Sequence, residues 1–289
     1  MAETALSAPA ADAAPEIDLD ELKRMRQRRN ERIGAWALPV IVVALTLLGW
    51  DWIVRANEIP HYILPGPGRV AESLYEDWSI LFSALMVTLK VTTMALFTAV
   101  VLGVGLAILF SLSKWIEMSL FPYAVILQVT PIVSIAPLIF IYVDSKLAGL
   151  LICAWIVAFF PILSNTTLGL NSADHNLRDL FRIYGATRWQ TLRHLQIPSA
   201  MPYFLAGLKI AGGLSLIGAV VAEYVAGTGG VGSGLAFRIL EASYRLNIPR
   251  MFAALLLIAV TGVLIFALMS LINHLALRKW HESAVSRER

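Results

Sequence analysis

Between Ala84 and Phe110 the chain runs ALMVTLKVTTMALFTAVVLGVGLAILF, an apolar stretch broken by a single charge, Lys90. A hydrocarbon core roughly 30 Å thick is crossed by about 20 helical residues, and its lack of water forces every backbone N–H and C=O to bond within the chain. Such a run is therefore confined to a membrane-spanning helix. Similar runs at 35–54, 117–143, 147–170, 202–225 and 251–277 predict an all-α polytopic membrane protein with six transmembrane helices. The composition agrees: 58% of the 289 residues are hydrophobic and 15% charged, with a mean hydropathy of +0.71, far from the balance of a soluble domain. The third run contains Pro131 and Pro137, which predicts a kink or break there.

Lys and Arg placement sets the expected orientation, because inside loops carry the excess of positive charge. With the N-terminus inside, the inside segments hold Lys23, Arg24, Arg26, Arg28, Arg29, Arg32, Lys114, Arg178, Arg182, Arg188, Arg193, Arg278, Lys279, Arg287 and Arg289. The outside loops hold only Arg55, Arg69, Lys146, Arg238, Arg245 and Arg250. Six spans then leave both termini cytoplasmic. Residues 1–34, an Ala-rich acidic piece followed by ELKRMRQRRNER, lack the apolar surface for a core and are expected to be a disordered tail, with 278–289 a second, short one. The first span begins too far from residue 1, and is too long, for a signal-peptide core, and is read as retained.

Outside the spans, RVAESLYEDW places Val70, Leu74 and Trp78 on one face of a short outer helix, with Trp78 at the interface. The stretch AGTGGVGSG superficially resembles a phosphate-binding loop, yet no Gly-Lys pair occurs anywhere in the chain. A nucleotide loop needs that lysine and a preceding strand. These glycines are read as flexible backbone or a tight re-entrant turn. The five histidines show no paired spacing, and Cys153 stands alone in an apolar run, so no metal site or cofactor is expected.

The inside loop, 171–201, changes period. Leu177, Leu180, Phe181 and Tyr184 fall at helical spacing, opposite Arg178, Asp179 and Arg182. Asp174 or Asn176 is placed to cap this first short helix and Gly185 to close it. A second follows, with Thr187 as its cap and Trp189, Leu192 and Leu195 as its stripe, ending at Pro198. Two short helices about a glycine also describe a DNA-reading helix-turn-helix, but spans close on either side tether the pair to the membrane. Nucleic acid is therefore excluded. Two readings stay open from composition: docking onto a cytoplasmic protein, or an interfacial loop held by lipid headgroups.

The run DLFRIYGATRWQTLRHLQIPSAMP resembles the EAA loop of permease subunits of ATP-binding-cassette importers, in which Glu-Ala-Ala is followed after three residues by Gly and, nine further on, by Ile-x-Leu-Pro. Gly185 and Pro198 match outright, Leu195 and Ile197 are conservative, Asp179 stands for Glu, and Leu180 and Phe181 replace the alanines. LPGPG at 64–68, Thr88 to Lys90, FFPILSNTTLGL, VAEYVAG and RKWHES are similar to permeases of the nitrate, sulfonate, taurine and pyrimidine-precursor importers of bacterial inner membranes. The resemblance implies a permease domain over 35–277 with no catalysis of its own. Its implied partners are a cytoplasmic ATPase dimer, a second permease subunit as a homodimer, a periplasmic or lipid-anchored solute-binding protein, and membrane lipid.

The residues expected to contact the ATPase are Asp179, Gly185, Ala186, Thr187, Arg188, Trp189, Gln190, Leu195 and Pro198, with Trp189 the apolar anchor and Arg188 a rim contact. For the translocation path the candidates are Gln128 and Ser134 beside Pro131, Asn165 and Thr166, and Glu223, the favoured ionisable group over Lys90 and Lys209. The polar clusters either line a cavity or bond neighbouring helices. An autonomous secondary transporter is the alternative function; its usual inverted repeat is not evident.

Overall fold

The computed structural model describes residues 19–227 and 232–278. It divides into two units, residues 1–59 and 60–289. The first is a single helix, α1 (Leu19–Ala56), whose apolar portion Ala37–Ala56 is long enough to cross a membrane. The predicted tail therefore changes character at Leu19: residues 1–18 lie outside the described residues, and 19–34 continue the span helix. ELKRMRQRRNER is built from strong helix formers, and Gln27 donates to Glu31 one turn on, at 3.2 Å.

In the second unit, α2 (Pro67–Glu76) is the short outer helix, its Pro67 in the first turn where the missing N–H costs nothing. Asp77 alone separates it from α3 (Trp78–Leu112). Trp78 thus opens the span, where the sequence suggested it would end α2; the span extends beyond its apolar run because Trp78 and Ser79 continue the helix without a breaker. The third span is broken. α4 (Lys114–Val129) and α5 (Ile132–Tyr142) meet at Thr130–Pro131 with a bend of 103°, as the proline predicted. α6 (Lys146–Asn171) follows, capped by the Ser145 hydroxyl, then α7 (His175–Ile183) and α8 (Arg188–Thr191). A π-helical turn (Leu192–Gln196) joins α8 to α9 (Ile197–Ala226), and α10 (Leu235–Tyr244) and α11 (Ile248–Leu277) complete the unit. Five helices are long and apolar enough to span, or six when the bent pair counts as one.

α6 packs chiefly on α9 and α3. Water cannot drive that association inside a bilayer, so close approach of small residues does it. On α3 the buried stripe reads Ala84, Thr88, Val91, Ala95, Ala99, Gly103, Ala107 and Phe110, while Phe97, Val101, Leu102 and Leu109 are exposed. Between α6 and α9, a Cβ on Gly218 would come within 2.8 Å of the Ala154 backbone. The buried core gathers Phe110, Phe159, Ile162, Leu163, Leu170 and Leu192.

Pro198 does not end a helix. It sits in the first turn of α9, which continues unbroken to Ala226, so this helix begins at 197 rather than 202. The wider π turn just before it relaxes the hydrogen-bond register that a proline would otherwise violate.

Candidate functional site

The elbow between α6 and α9 is assembled from local signals that all agree. Asp174 caps α7, its carboxylate accepting from the Asn176 N–H at 2.7 Å and the Leu177 N–H at 3.3 Å. α7 closes at Gly185 in the left-handed region, φ +69°. The Gly185 N–H donates to the Arg182 carbonyl and the Ala186 N–H to the Phe181 carbonyl, the paired bonds of a Schellman motif. Thr187 then opens α8 with a capping box: the Gln190 N–H donates to its hydroxyl at 3.3 Å, and its own N–H donates to the Gln190 side chain at 2.7 Å.

The two faces of this elbow differ. Leu192 and Leu195 are buried in the bundle. Trp189 does not share their stripe as predicted; it is 59% exposed. On α7 nothing is buried: Leu177, Leu180, Ile183 and Tyr184 are exposed, Tyr184 at 82%. Between the two helices runs a groove of about 520 Å³, lined by Leu180, Phe181, Tyr184, Gly185, Ala186, Gln190 and His194. Asp179 is exposed on α7. These exposed apolar side chains sit on an element capped at both ends.

Two arginines of the elbow reach the ends of span helices. The Arg178 guanidinium donates to the Leu170 carbonyl at 2.8 Å, and that of Arg188 to the Leu112 carbonyl at 3.1 Å. Both acceptors belong to the last turns of span helices, where carbonyls lack intrahelical partners and the helix dipole favours a cation. Arg188, expected at a rim contact, remains exposed while it bonds the end of α3. The Ser111 hydroxyl also donates to the Gln196 side chain at 3.1 Å. No sequence signal marks the Arg188–Leu112 and Ser111–Gln196 bonds, because they join residues far apart in the chain.

The five predicted path residues fall in three places. Gln128 and Ser134 are exposed on either side of the α4–α5 break. In α6, Asn165 donates to the Pro161 carbonyl at 2.8 Å, whereas Thr166 is buried in the wall of an apolar cavity of about 470 Å³ shared with Val100, Val104, Ile197 and Phe204. Glu223 is only 3% exposed. Its carboxylate accepts from the Thr88 hydroxyl at 3.1 Å and from the Ala236 N–H at 3.2 Å, while Thr88 accepts from the Leu235 N–H at 2.9 Å. Glu223 thus anchors the start of α10. That helix lies in the loop read from sequence only as glycine-rich turn; the apolar spacing of Leu235, Ile239 and Ala242 is the signal that reveals it. Lys209 places its ammonium 4.4 Å from the Phe266 ring centre, a cation–π contact between α9 and α11. Among the described residues no three His, Cys, Asp or Glu side chains are grouped to hold a metal.

Comparison with known proteins follows the same lines. Residues 99–279 match the family described as binding-protein-dependent transport system inner membrane component. The riboflavin transport system permease protein RibX of Chloroflexus aurantiacus is 32% identical over 262 residues, covering 90% of this chain and 96% of that one. The formylaminopyrimidine transport permease protein ThiX of Halalkalibacterium halodurans is 28% identical over 240 residues, 83% and 94% of the two chains. The crystal structure of an amino acid ABC transporter with histidines shares the fold, with a TM-score of 0.58 and 22% identity over 70% of this chain and 96% of that chain.

Proposed function

We propose, from the premise that this chain belongs to the binding-protein-dependent inner membrane component family as the permease of an ATP-binding-cassette importer, that it carries a small solute inward by alternating access under the drive of a separate ATPase. Two copies form the passage. A solute-binding protein delivers the solute at the outer face, and the α7–α8 elbow lies in the cytoplasm against the ATPase dimer, consistent with the excess of Lys and Arg in the segments assigned inside.

The observation that carries the reading is the exposure of Trp189, Ile183 and Tyr184 on an element whose other face, Leu192 and Leu195, is locked in the core. Trp189 enters a pocket of the ATPase as an apolar anchor, as an amphipathic helix does in a partner's groove. Thr187 and Gln190 are spent on their own capping box and set the shape of the contact, and Gly185 sets the angle between α7 and α8. ATP binding and hydrolysis then bias two packings of the membrane helices.

For the solute, the names of the two relatives, riboflavin and formylaminopyrimidine, favour a nitrogen heterocycle of the vitamin or vitamin-precursor type over a small anion such as a sulfonate or nitrate. Two measurements test these statements. Trp189→Ala, co-expressed with the ATPase and binding protein, keeps membrane insertion and loses uptake; normal uptake rejects the anchor. Calorimetry of the binding protein against heterocycles and anions identifies the solute, and affinity for nitrate or sulfonate alone rejects the heterocycle.

A further inference from the structure

The second half of the elbow, α8 with its π turn, is attached to α3 at both of its ends. Arg188, the first residue of α8, donates to the carbonyl of Leu112 at 3.1 Å. Gln196, the last residue of the π turn, accepts from the hydroxyl of Ser111 at 3.1 Å. Ser111 and Leu112 are neighbours in the final turn of α3. Between the two attachments, Leu192 and Leu195 are buried, with Leu192 in the same core cluster as Phe110 of α3. Covalent continuity already makes the elbow the first part of α9, since the π turn leads into that helix without a gap. The two polar bonds add a second output.

We propose that Arg188 and Gln196 are positioning residues that clamp the coupling elbow to the end of α3, so that a displacement imposed on the elbow moves α3 and α9 together. This rests on the reading that the elbow docks onto the ATPase, and it adds which span helices receive the stroke. The physical case is one of alternatives. Without the clamp, α3 would meet the elbow only through apolar packing around Leu192, and such contacts let one helix slide on another by about 1–2 Å. Directional bonds at two points, each using a group with no partner in its own helix, remove that freedom. Arg188 also places its charge at the negative end of the α3 dipole, which makes a guanidinium or ammonium there better than any neutral donor. Glycine at 185 separates α7 from the clamped body, and α7 is tied through Arg178 to the end of α6 instead.

The test uses the whole transporter, permease with its ATPase, in lipid nanodiscs, with the native cysteine removed by Cys153→Ser and spin labels at Leu109→Cys on α3 and Arg193→Cys on the elbow, both exposed positions. The distance between labels is measured nucleotide-free and after trapping with ATP and vanadate. With Arg188 and Gln196 in place it stays constant. In Arg188→Ala/Gln196→Ala it shifts by about 2 Å, the size of a helix slide, and Ser111→Ala gives a smaller shift through the α3 side of the same bond. Arg188→Lys restores the constant distance in the presence of Gln196. A distance that already changes in the parent, or stays fixed in the double variant, overturns the clamp. A parallel Trp189→Cys cross-link to the ATPase reports docking separately: its retention in the double variant assigns the shift to the lost clamp, and its failure in the parent overturns the docking reading itself, and with it the stroke the clamp transmits.

Discussion

The Glu223 carboxylate accepts a hydrogen bond from the Thr88 hydroxyl at 3.1 Å, joining α9 to α3 where both side chains are buried. The same pair supplies acceptors to the Leu235 and Ala236 N–H groups, two of the donors that the first turn of α10 leaves unpaired. Glu223→Ala removes one acceptor and leaves buried donors facing a void, at about 1–3 kcal/mol. The detergent-solubilised protein is expected to melt at a lower temperature, with α10 becoming accessible to protease. Glu223→Gln keeps a carbonyl acceptor and is expected to fall between the two; a Glu223→Ala protein that melts with the parent contradicts this role.

Gly234, which precedes α10, has no room for a side chain, because its Cβ would overlap the Glu223 carboxylate. Gly234→Ala is expected to give a low yield of monodisperse protein in size-exclusion chromatography. Gly105→Ala, where nothing lies within 4 Å of the added carbon, is expected to elute as the parent does. Equal behaviour of the two would refute the crowding argument.

Asp77 and Arg250 form a two-pronged ion pair, at 2.6 and 2.5 Å, that ties the α2–α3 junction to the start of α11. Both side chains are mostly buried, so removing one partner strands a charge, at a cost on the order of 3 kcal/mol. Asp77→Ala and Arg250→Ala are each expected to lower the melting temperature, and the double variant to lose less than the sum of the singles. Strict additivity in that cycle would show that the pair is not coupled.

Gly185 adopts φ +69° with open space where a Cβ would stand, so conformation and not crowding selects glycine there. Gly185→Val costs about 1–2 kcal/mol for a residue forced into the left-handed region, confined to the elbow. The expected outcome is normal insertion and melting of the span helices with loss of uptake. An unchanged uptake rate would remove Gly185 from the coupling geometry.

The span helices were legible because apolar runs of this length have one stable form in a bilayer, and a break in the third run because prolines weaken it; which proline breaks it was not, since Pro131 opens α5 while Pro122 and Pro137 stay inside their helices. The elbow was legible for a related reason: Asp174, Gly185 and Thr187 are capping residues whose partners lie within a few positions of them. What escaped depends on tertiary geometry. The π turn has no signature in LRHLQ, and Pro198 was taken for a stop; Trp189 was placed on the stripe of Leu192 and Leu195, yet it stands exposed where the bundle leaves α8 uncovered. The bond from Arg188 follows from the unpaired carbonyl of Leu112, which only the packed bundle brings near. Glu223 drew notice as a charge in a span; its bond to Thr88 required α3 and α9 to be neighbours first.

The central claim, that an ATPase drives this permease by gripping its elbow, is tested most directly by placing a photoreactive residue at position 189 in cells that carry the complete transporter, and identifying what it captures. The account predicts a covalent adduct with the ATP-hydrolysing subunit that disappears when the probe is moved to the buried position Leu192. Capture of lipid alone at position 189, with no ATPase adduct, would contradict it.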